Sequence, residues 1–352
     1  MKFRIIFLIA VFFMLPLASY AQVELVSPSH PVYDFLKRMQ LEEIIDYNSS
    51  QIPISRGEIG SFLLTVDNSK NKLSSVDKKI LGDFLNEFEY DLGRPVKEKI
   101  SSFFSGGDVK KMFSNDNQKY FYKYLDSNAS FFVDGLSGYS YRRSSGDTLG
   151  SNTLNLSEIG LRFRGTLFNS VGFYLRASNG SKMSGDDKAV VFGRQTDPKL
   201  AASRKFPTEG YFDSFEGYLR YQTKGNWLGL TVGREAMYQG FGYIDKLYLS
   251  NNTVPFDFIN LRMQYKALRY SFTYGGLKGD SLGRDIPVKN IATHRLDVNF
   301  SPRFRMGFWE ALITASQSFS FSNVNPLSFL ISVDYNDVVN SNPNNNLFGI
   351  DM

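Results

Sequence analysis

The sequence is poor in the residues that most often carry chemistry at a protein site. It has no cysteine, and it has only two histidines and two tryptophans. Without cysteine there is no disulfide framework, no thiolate metal site and no thiol for a lipid anchor. No histidine-rich metal spacing, phosphate loop or serine elbow occurs in it either. We therefore expect no cofactor, no bound metal, no catalytic residue and no nucleic-acid partner.

Long apolar runs are equally scarce, and the one that exists lies at the N-terminus. Lys2 and Arg4 precede an apolar run over residues 5–17, and small residues follow at positions −3 and −1 of a cleavage site after Ala21. This pattern predicts a signal peptide over residues 1–21. The alternative, a membrane anchor, fits less well because the run is short for a hydrocarbon core of ~30 Å. Every later window of about 20 residues carries charges or turn residues, so only a closed β-barrel could satisfy the backbone within a membrane.

Aromatic side chains are abundant, and charge is unevenly distributed. The 32 phenylalanines and 20 tyrosines coexist with a mean hydropathy of -0.24. Transmembrane barrels combine these properties because their apolar and polar residues alternate, and some soluble domains do so as well. Residues 22–93 carry 12 acidic and 7 basic side chains, whereas residues 94–352 carry 23 acidic and 31 basic ones. The basic part predicts an anionic partner, such as an acidic polysaccharide or lipopolysaccharide.

Residues 22–93 have the pattern of a small helical bundle. Apolar residues recur at helical spacing behind three capping signals. Ser55 and Glu58 match a capping box, in which each side chain binds the backbone N–H of the other residue. Three short amphipathic helices can bury one modest core. The predicted helix starts are Pro31, Ser55 and either Ser74 or Ser75.

A connector is predicted over residues 94–117, with one helical piece between residues 97 and 113. Over residues 118–352 the apolar period changes from 3.6 to 2. Residues 158–164, for example, place apolar side chains on one parity and glutamate or arginine on the other. Segments of about ten residues with this alternation are typical of outer-membrane strands, although a soluble β-sandwich alternates as well.

Two features favour the barrel. The polar side of each strand is heavily charged, as expected for a water-filled lumen, and the apolar side often ends in Tyr or Phe, as expected for the aromatic girdles at the membrane interfaces. The predicted fold class is therefore mainly β, with a transmembrane antiparallel β-barrel over residues 118–352 behind the small N-terminal helical bundle. About ten strands are predicted, near residues 119–133, 136–144, 154–168, 171–178, 213–223, 227–234, 256–267, 268–277, 291–301 and 305–322.

The connections between these strands are predicted to alternate in length. Residues 169–170 and 224–226 have the composition of tight turns. Short periplasmic turns opposite long outer loops are the expected asymmetry of outer-membrane barrels. No aromatic-terminated strand follows the turn-like run over residues 342–346, so we expect about half of a larger, C-terminally truncated barrel; a closure that the pattern does not reveal is the alternative. The long connections are predicted at residues 179–212, 235–254 and 279–289.

The most distinctive segment runs from Gly233 to Asp257 and combines closely spaced glycines with aromatic, cationic and amide side chains. Flat rings beside planar hydrogen-bonding groups suit sugars, which have apolar faces and hydroxylated edges. Arginine can also bind a uronate carboxylate through two parallel hydrogen bonds. An internal loop that braces the barrel is the alternative for this segment. His30 and His294 are expected to have capping or packing roles. The candidate ligand-binding residues are Arg234, Phe241, Tyr243, Lys246, Asn251, Asn252 and Asp257.

Several segments, in this order and spacing, resemble the capsule assembly Wzi family over most of residues 28–330. The resemblance implies an outer-membrane barrel of eighteen strands with a helical bundle at its periplasmic end. It also implies a lectin that helps to hold capsular polysaccharide at the cell surface, and the strands predicted here would be the first half of such a barrel. The segments are His30–Leu36, Ile52–Ser55, Gly233–Glu235, Leu249–Asn252, Pro255–Asp257, Ala292–Leu296, Gly307–Glu310 and Asn325–Pro326.

The leading hypothesis is a non-catalytic outer-membrane protein that binds, and helps to assemble or retain, capsular or extracellular polysaccharide. Its expected partners are an anionic polysaccharide or other surface glycan and outer-membrane lipid, with the bundle on the periplasmic side. A porin-type passive channel is the alternative. Charged residues such as Arg162, Arg164 and Arg220 would suit its lumen, but the predicted bundle would block it. An outer-membrane hydrolase is the third hypothesis.

Overall fold

The computed structural model describes residues 22–93, 99–102, 118–147, 150–242, 246–277, 289–315, 325–327, 330 and 344–352. The predicted signal peptide over residues 1–21 and most of the predicted connector lie outside these residues. Within this part of the chain, no helix is long and apolar enough to cross a membrane.

Three helices form the N-terminal bundle, and the predicted helix starts are confirmed. The Ser55 hydroxyl accepts a hydrogen bond from the backbone N–H of Glu58, and the Glu58 carboxylate accepts one from the backbone N–H of Ser55. Ser74 caps the third helix by accepting from the backbone N–H of Asp77. The helices are α1 (Val32–Leu41), α2 (Arg56–Asn68) and α3 (Ser75–Glu87), and a short 3₁₀ turn covers Lys70–Lys72.

One apolar core holds these helices together, and His30 closes one side of it. The Nδ1 atom of His30 accepts from the backbone N–H of Val32 at 3.2 Å, and its ring packs edge-on against Phe88. The histidine therefore caps α1 and packs against α3, as predicted. Helix α1 ends before Ile44 because Glu43 adopts a φ of 58°, in the left-handed region. Core side chains include Val32, Leu36, Met39, Ile59, Leu63, Val66 and Leu81.

Twelve strands form one antiparallel sheet, in which strands adjacent in sequence pair with each other except around the short β9. A separate pairing joins β1 (Gln51–Ile52) to β9 (Tyr238–Gln239). The chain is therefore mainly β, as predicted, and in its described part the sheet is open, with β2 and β14 at its edges. The strands of the sheet are β2 (Lys99–Ser102), β3 (Tyr122–Leu125), β4 (Ala129–Ser144), β5 (Asn152–Leu167), β6 (Val171–Ser184), β7 (Tyr211–Gln222), β8 (Leu228–Glu235), β10 (Phe256–Tyr265), β11 (Leu268–Leu277), β12 (Lys289–Ser301), β13 (Phe304–Ala315) and β14 (Asn345–Asp351).

The strands predicted at 119–133 and 136–144 are wrong in their boundaries. A turn interrupts the first of them, because the Asp126 carboxylate accepts hydrogen bonds from the backbone N–H groups of Asn128 and Ala129 at 2.6 and 2.7 Å. Strand β4 then continues without a break through Gly135 to Ser144.

Two further elements differ from the sequence-based expectation. Residues 99–102 pair with β3 as a strand, where one helical piece was predicted within residues 97–113. Strand β14 begins inside the predicted turn-like run, because Asn345 and Asn346 pair with β13. The preference of asparagine for turns is weak, and hydrogen bonds to a neighbouring strand can outweigh it. Pairing over long sequence distances therefore decides both segments.

The predicted alternation of connection lengths is confirmed. Connections of two to five residues join the strands at one end of the sheet, here named the short-turn end, and connections of seven or more residues join them at the other, the long-loop end. The short turns span residues 126–128, 168–170, 223–227, 266–267 and 302–303, and the long loops span residues 145–151, 185–210, 236–255, 278–288 and 316–344.

The two faces of the sheet differ in chemistry because side chains alternate along each strand. The inner face binds the N-terminal bundle: Thr166, for example, accepts from the backbone N–H of Val23, and Tyr218 accepts from that of Leu25. The outer face carries an apolar belt of exposed side chains. Members of the belt are Ile159, Leu161, Leu167, Leu175, Phe215, Leu219, Leu230, Val232, Ile259, Tyr265, Leu268, Leu296, Phe300, Phe304 and Phe308.

The belt has a sharp upper edge, on the side of the long loops. On β5 it extends from Ile159 to Leu167, about 26 Å at ~3.3 Å per residue. On β5, β7 and β10 the outward positions beyond this edge are polar, whereas on β12 and β13 Ala292 and Leu312 are apolar and pack against Leu330. The first outward residue above the belt is Ser157 on β5, Asp213 on β7, Asp257 on β10 and His294 on β12.

Candidate functional site

A buried ion pair fixes the first residues of the bundle to the inner face. Nη1 of Arg164, on β5, donates to Oε1 of Glu24 at 2.8 Å. The Thr166 hydroxyl donates to the other carboxylate oxygen at 2.8 Å. Glu24 is fully buried, and only 3% of Arg164 is exposed. Because each charge is deprived of water, each depends on the other for compensation.

Three further arginines of the inner face bind the backbone between α1 and α2. Arg262 donates to the carbonyl of Pro53, and Arg269 donates to that of Asn48 at 3.4 Å. Arg305 donates to the carbonyl of Tyr47 at 2.7 Å. These arginines lie two to four residues from a short turn, so the bundle occupies the short-turn end of the inner face.

Asp297 on β12 adds a polar centre at the same interface. Its Oδ2 accepts from the Ser50 hydroxyl at 2.5 Å and from the Gln51 amide at 2.9 Å, and its Oδ1 lies 2.8 Å from Nη2 of Arg295. Arg295 also binds Asp351 of β14 at 2.7 Å. Gly307 makes room for this pair, since a Cβ atom there would collide with both partners.

Two of the predicted ligand-binding residues lie inside the structure. Residues 236–242 and 246–255 fold onto the inner face, where β9 pairs with β1. The backbone N–H of Phe241 donates to Asp351, and the Phe241 ring centroid lies 5.2 Å from the Arg295 guanidinium carbon. The Lys246 ammonium donates to the carbonyls of Ser49 and Gly240 at 2.7 and 2.6 Å. This part of the loop braces the interior, which is the alternative that the sequence left open.

Burial lowers the pKa of Lys246 to about 7. Between pH 7 and about 10.4, where lysine titrates in an unfolded chain, the unfolded chain binds a proton that the folded chain does not. The free energy of unfolding should therefore rise with pH across this window. Below pH 7 the lysine is protonated in both states, so the cost of burying its charge is at its maximum and no longer changes with pH. Relative to a Lys246→Met variant, the free energy of unfolding should increase by up to about 1.4 kcal/mol per pH unit. Denaturant unfolding from pH 6 to 9.5 measures this slope.

The exposed Lys70 provides the control for this prediction. A Lys70→Met variant should show no such divergence from the wild type over the same range. A difference between wild type and Lys246→Met that stays constant with pH would contradict the assignment.

The other predicted residues lie elsewhere. Arg234 and Asp257 are cross-strand partners on the outer face, just above the apolar belt, with Nη1 of Arg234 3.1 Å from the carboxylate. Asn252 is exposed in the turn before β10, and Asn251 beside it is half-buried. Tyr243 lies outside the described residues. The structure thus separates Arg234 and Asp257 from Phe241 and Lys246 by the thickness of the sheet, and ligand binding by the predicted set stays a prediction.

The long loop between β6 and β7 covers the inner face at the long-loop end. It contains three helices that the sequence did not predict, α4 (Asp187–Thr196), α5 (Pro198–Ala202) and α6 (Phe206–Glu209). Ion pairs join it to the strands: Lys199 to Glu158 at 2.7 Å and Asp197 to Arg142 at 2.5 Å. Its apolar side chains pack against inward residues of β5 and β7. This cluster consists of Leu154, Leu156, Ala189, Val190, Leu200, Phe206 and Phe212.

Above the belt, the outer face of β4 to β7 presents exposed rings beside planar polar groups. Tyr139 and Tyr141 are 69% and 61% exposed. The Tyr139 hydroxyl donates to the Asn155 side-chain oxygen at 2.8 Å. The Asn179 amide donates to Asp213 at 2.6 Å. This surface is named the rim face, and it consists of Tyr139, Tyr141, Asn155, Asn179, Tyr211 and Asp213.

A cation completes the rim face on the side of β7. The Lys205 ammonium lies 4.9 Å from the Tyr211 ring centroid and 3.9 Å from the Asp213 carboxylate. Exposed aromatic faces can stack on the C–H faces of sugars, and amide, carboxylate and ammonium groups can bind their hydroxyls or acidic substituents. The arrangement suits binding of a glycan from solution.

The sequence-based reasoning did not find the rim face. Tyr139 and Tyr141 share one parity with Phe131 and Val133, but the predicted break between residues 133 and 136 separated the two pairs. A strand read continuously from 129 to 144 would have placed both tyrosines on the outer face beyond the apolar residues. The alternation of side chains along residues 129–144 therefore contained the signal, and the wrongly placed end of the strand at residue 133 hid it.

In the residues that the structure describes, no group of three or more histidine, cysteine, aspartate or glutamate side chains is placed to hold a metal ion. A comparison with protein-family models finds no family that matches the chain, and a comparison with curated proteins finds no match either.

Proposed function

We propose that the chain belongs to an outer-membrane β-barrel protein that binds surface polysaccharide without catalysis. In this proposal the apolar belt meets lipid, the short-turn end faces the periplasm and the long loops face outward. The N-terminal bundle plugs the periplasmic end. The resemblance to the capsule assembly Wzi family in the sequence points to the same role.

The outer face supports the membrane part of this proposal. An apolar outward band of ~25 Å, short turns at one end and long loops at the other are the features of outer-membrane barrels. The belt on β5 has about this length along the strand, and strand tilt shortens its height. In water, such a continuous band of exposed apolar side chains would favour aggregation.

The observation that carries the glycan part is the rim face. Its position above the belt would expose it to the cell exterior, and its tyrosines, amides and charged groups match the chemistry of a polysaccharide. Lys205 and the basic character of residues 94–352 favour an anionic glycan. An aromatic girdle that anchors the barrel at the membrane interface is the competing role for Tyr139 and Tyr141.

Substitution of the rim tyrosines tests this role. A Tyr141→Ala variant is expected to bind acidic capsular polysaccharide about five- to tenfold more weakly, because one ring stack contributes about 1 kcal/mol. A Tyr141→Phe variant keeps the ring and should retain most of the affinity. Glycan-array or calorimetric titration of the detergent-solubilised protein supplies the measurement.

Tyr265 offers a matched control, since it is 68% exposed on the outer face at the opposite, short-turn end. A Tyr265→Ala variant should bind polysaccharide like the wild type. Equal binding by all three variants would assign Tyr141 to the girdle. Binding at background level for the wild type itself would remove the polysaccharide role.

The porin-type alternative is less well supported by the same geometry. The bundle covers the inner face at the short-turn end, and α4 to α6 cover it at the long-loop end. Ion pairs and apolar packing hold the bundle and the loop with α4 to α6 in place, and these contacts would have to break before a channel could open.

A further inference from the structure

A small cavity lies between the bundle and the inner face, and three arginines converge on it. Arg220 of β7, Arg262 of β10 and Arg269 of β11 line it from the sheet, and Ile54 and Glu58 line it from the bundle. The cavity has a volume of about 20 Å³. This is room for one or two water-sized groups.

Positive charge exceeds negative charge around this cavity. Of the residues that line it, three are arginines and only Glu58 is acidic. The Glu58 carboxylate is already engaged by the backbone N–H and the hydroxyl of Ser55, at 3.0 and 2.7 Å, in the capping box of α2. The N-terminus of α2, with its partial positive charge, adds to the excess.

The three arginines bind neutral partners. Arg220 donates to the side-chain oxygens of Gln222 and Thr231 at 3.0 and 2.9 Å. Arg262 and Arg269 donate to the backbone carbonyls of Pro53 and Asn48. In the described part of the chain, the buried Nε atom of Arg262 has no hydrogen-bond partner, a feature that it shares with Arg164 and Arg295.

Three buried arginines elsewhere at the bundle behave differently. Arg164 and Arg295 each pair with a carboxylate, at 2.8 and 2.7 Å, and Arg56 pairs with Asp91 at 2.7 Å. Buried charges are normally paired, because burial without compensation costs several kcal/mol per ion. Arg220 is buried, whereas Arg262 and Arg269 are half-buried. In the described part of the chain none of the three pairs with a carboxylate, and an open space lies among them.

We propose that this cavity binds a small anion of the size of chloride, which the guanidinium groups of Arg220 and Arg262 hold with Arg269 nearby. The anion offsets the like-charge repulsion and accepts the free N–H of Arg262. Its small volume favours a monatomic anion over phosphate or a sugar carboxylate. Because the sheet and the bundle both supply its walls, the bound anion fastens the plug to the wall of the barrel.

Anion-dependent unfolding of the full chain in detergent tests this proposal. The unfolding midpoint of the wild type should rise with sodium chloride or sodium bromide and saturate, relative to sodium gluconate at the same ionic strength. Sodium phosphate should act like gluconate, because the small cavity favours a monatomic anion. Arg262→Gln and Arg220→Gln variants should lose the chloride-specific rise.

An Arg143→Gln variant is the matched control, since Arg143 is exposed on β4 away from the cavity and carries the same charge. It should keep the chloride response of the wild type. Identical wild-type midpoints in chloride and gluconate, or an undiminished response in Arg262→Gln, would overturn the proposal. A larger rise in phosphate than in chloride would overturn the size assignment.

Bromide soaked into crystals of the wild type gives a test that does not depend on the folding of any variant. An anomalous peak between Arg220 and Arg262 is the expected result, and the absence of a peak there would refute the site. Neither measurement involves glycan or lipid, so failure of the anion site and failure of the proposed polysaccharide role are distinguishable.

Discussion

A Leu219→Lys variant is expected to fail to assemble stably in lipid bilayers. Leu219 lies within the apolar belt on β7 and is 63% exposed. If the belt meets lipid, a lysine within it costs up to about 2–4 kcal/mol, the upper values applying at the bilayer midplane. If the same face meets water, an exposed leucine tolerates lysine with a change within about 0.5 kcal/mol. Folding into phospholipid vesicles, followed by urea titration, separates the two cases.

Asn179 supplies the control for this experiment. It is exposed on the same outer face, above the belt on β6. An Asn179→Lys variant adds the same charge where we expect water, and it should fold into vesicles like the wild type. If Leu219→Lys and Asn179→Lys were equally well tolerated, the membrane assignment of the outer face would be wrong.

Removal of the Glu24 charge is expected to release the bundle from the sheet. A Glu24→Gln variant leaves the Arg164 guanidinium buried without a carboxylate, which costs about 3–5 kcal/mol. The loss should appear as a lower urea midpoint and as faster proteolysis within residues 22–93. A second change, Arg164→Met, should recover part of the stability because it removes the unpaired charge.

Glu43 gives the matched control, since its pair with Arg303 is exposed on both sides. A Glu43→Gln variant removes the same charge from the bundle and should leave the urea midpoint close to that of the wild type, because solvent screens an exposed ion pair. Equal losses for the Glu24 and Glu43 variants would show that the buried pair contributes no more than a surface one.

Local signals in the sequence predicted the elements that depend on local physics. The capping box at Ser55 and the helix start at Ser74 need only residues three positions apart. The alternation of short and long connections follows from turn composition and strand length. The mainly β class follows from the apolar period.

Contacts between distant residues could not be predicted in the same way. Arg164 and Glu24 are 140 positions apart, and nothing in either segment identifies the other. Likewise, the pairing of β9 with β1 turns the loop of Phe241 and Lys246 inward. Its aromatic and cationic composition suits a ligand site and an internal brace equally well.

The docking contacts of the bundle also determine the order in which this protein can assemble. The core of the bundle forms from residues close in sequence, so it can fold early. Its partners on the sheet lie much further along the chain, from Ser130, 108 positions after Gln22, to Arg305, 258 positions after Tyr47. The carbonyl of Tyr47 gains its arginine partner only when β13 has been added, so the bundle can form before its contacts with the sheet are complete.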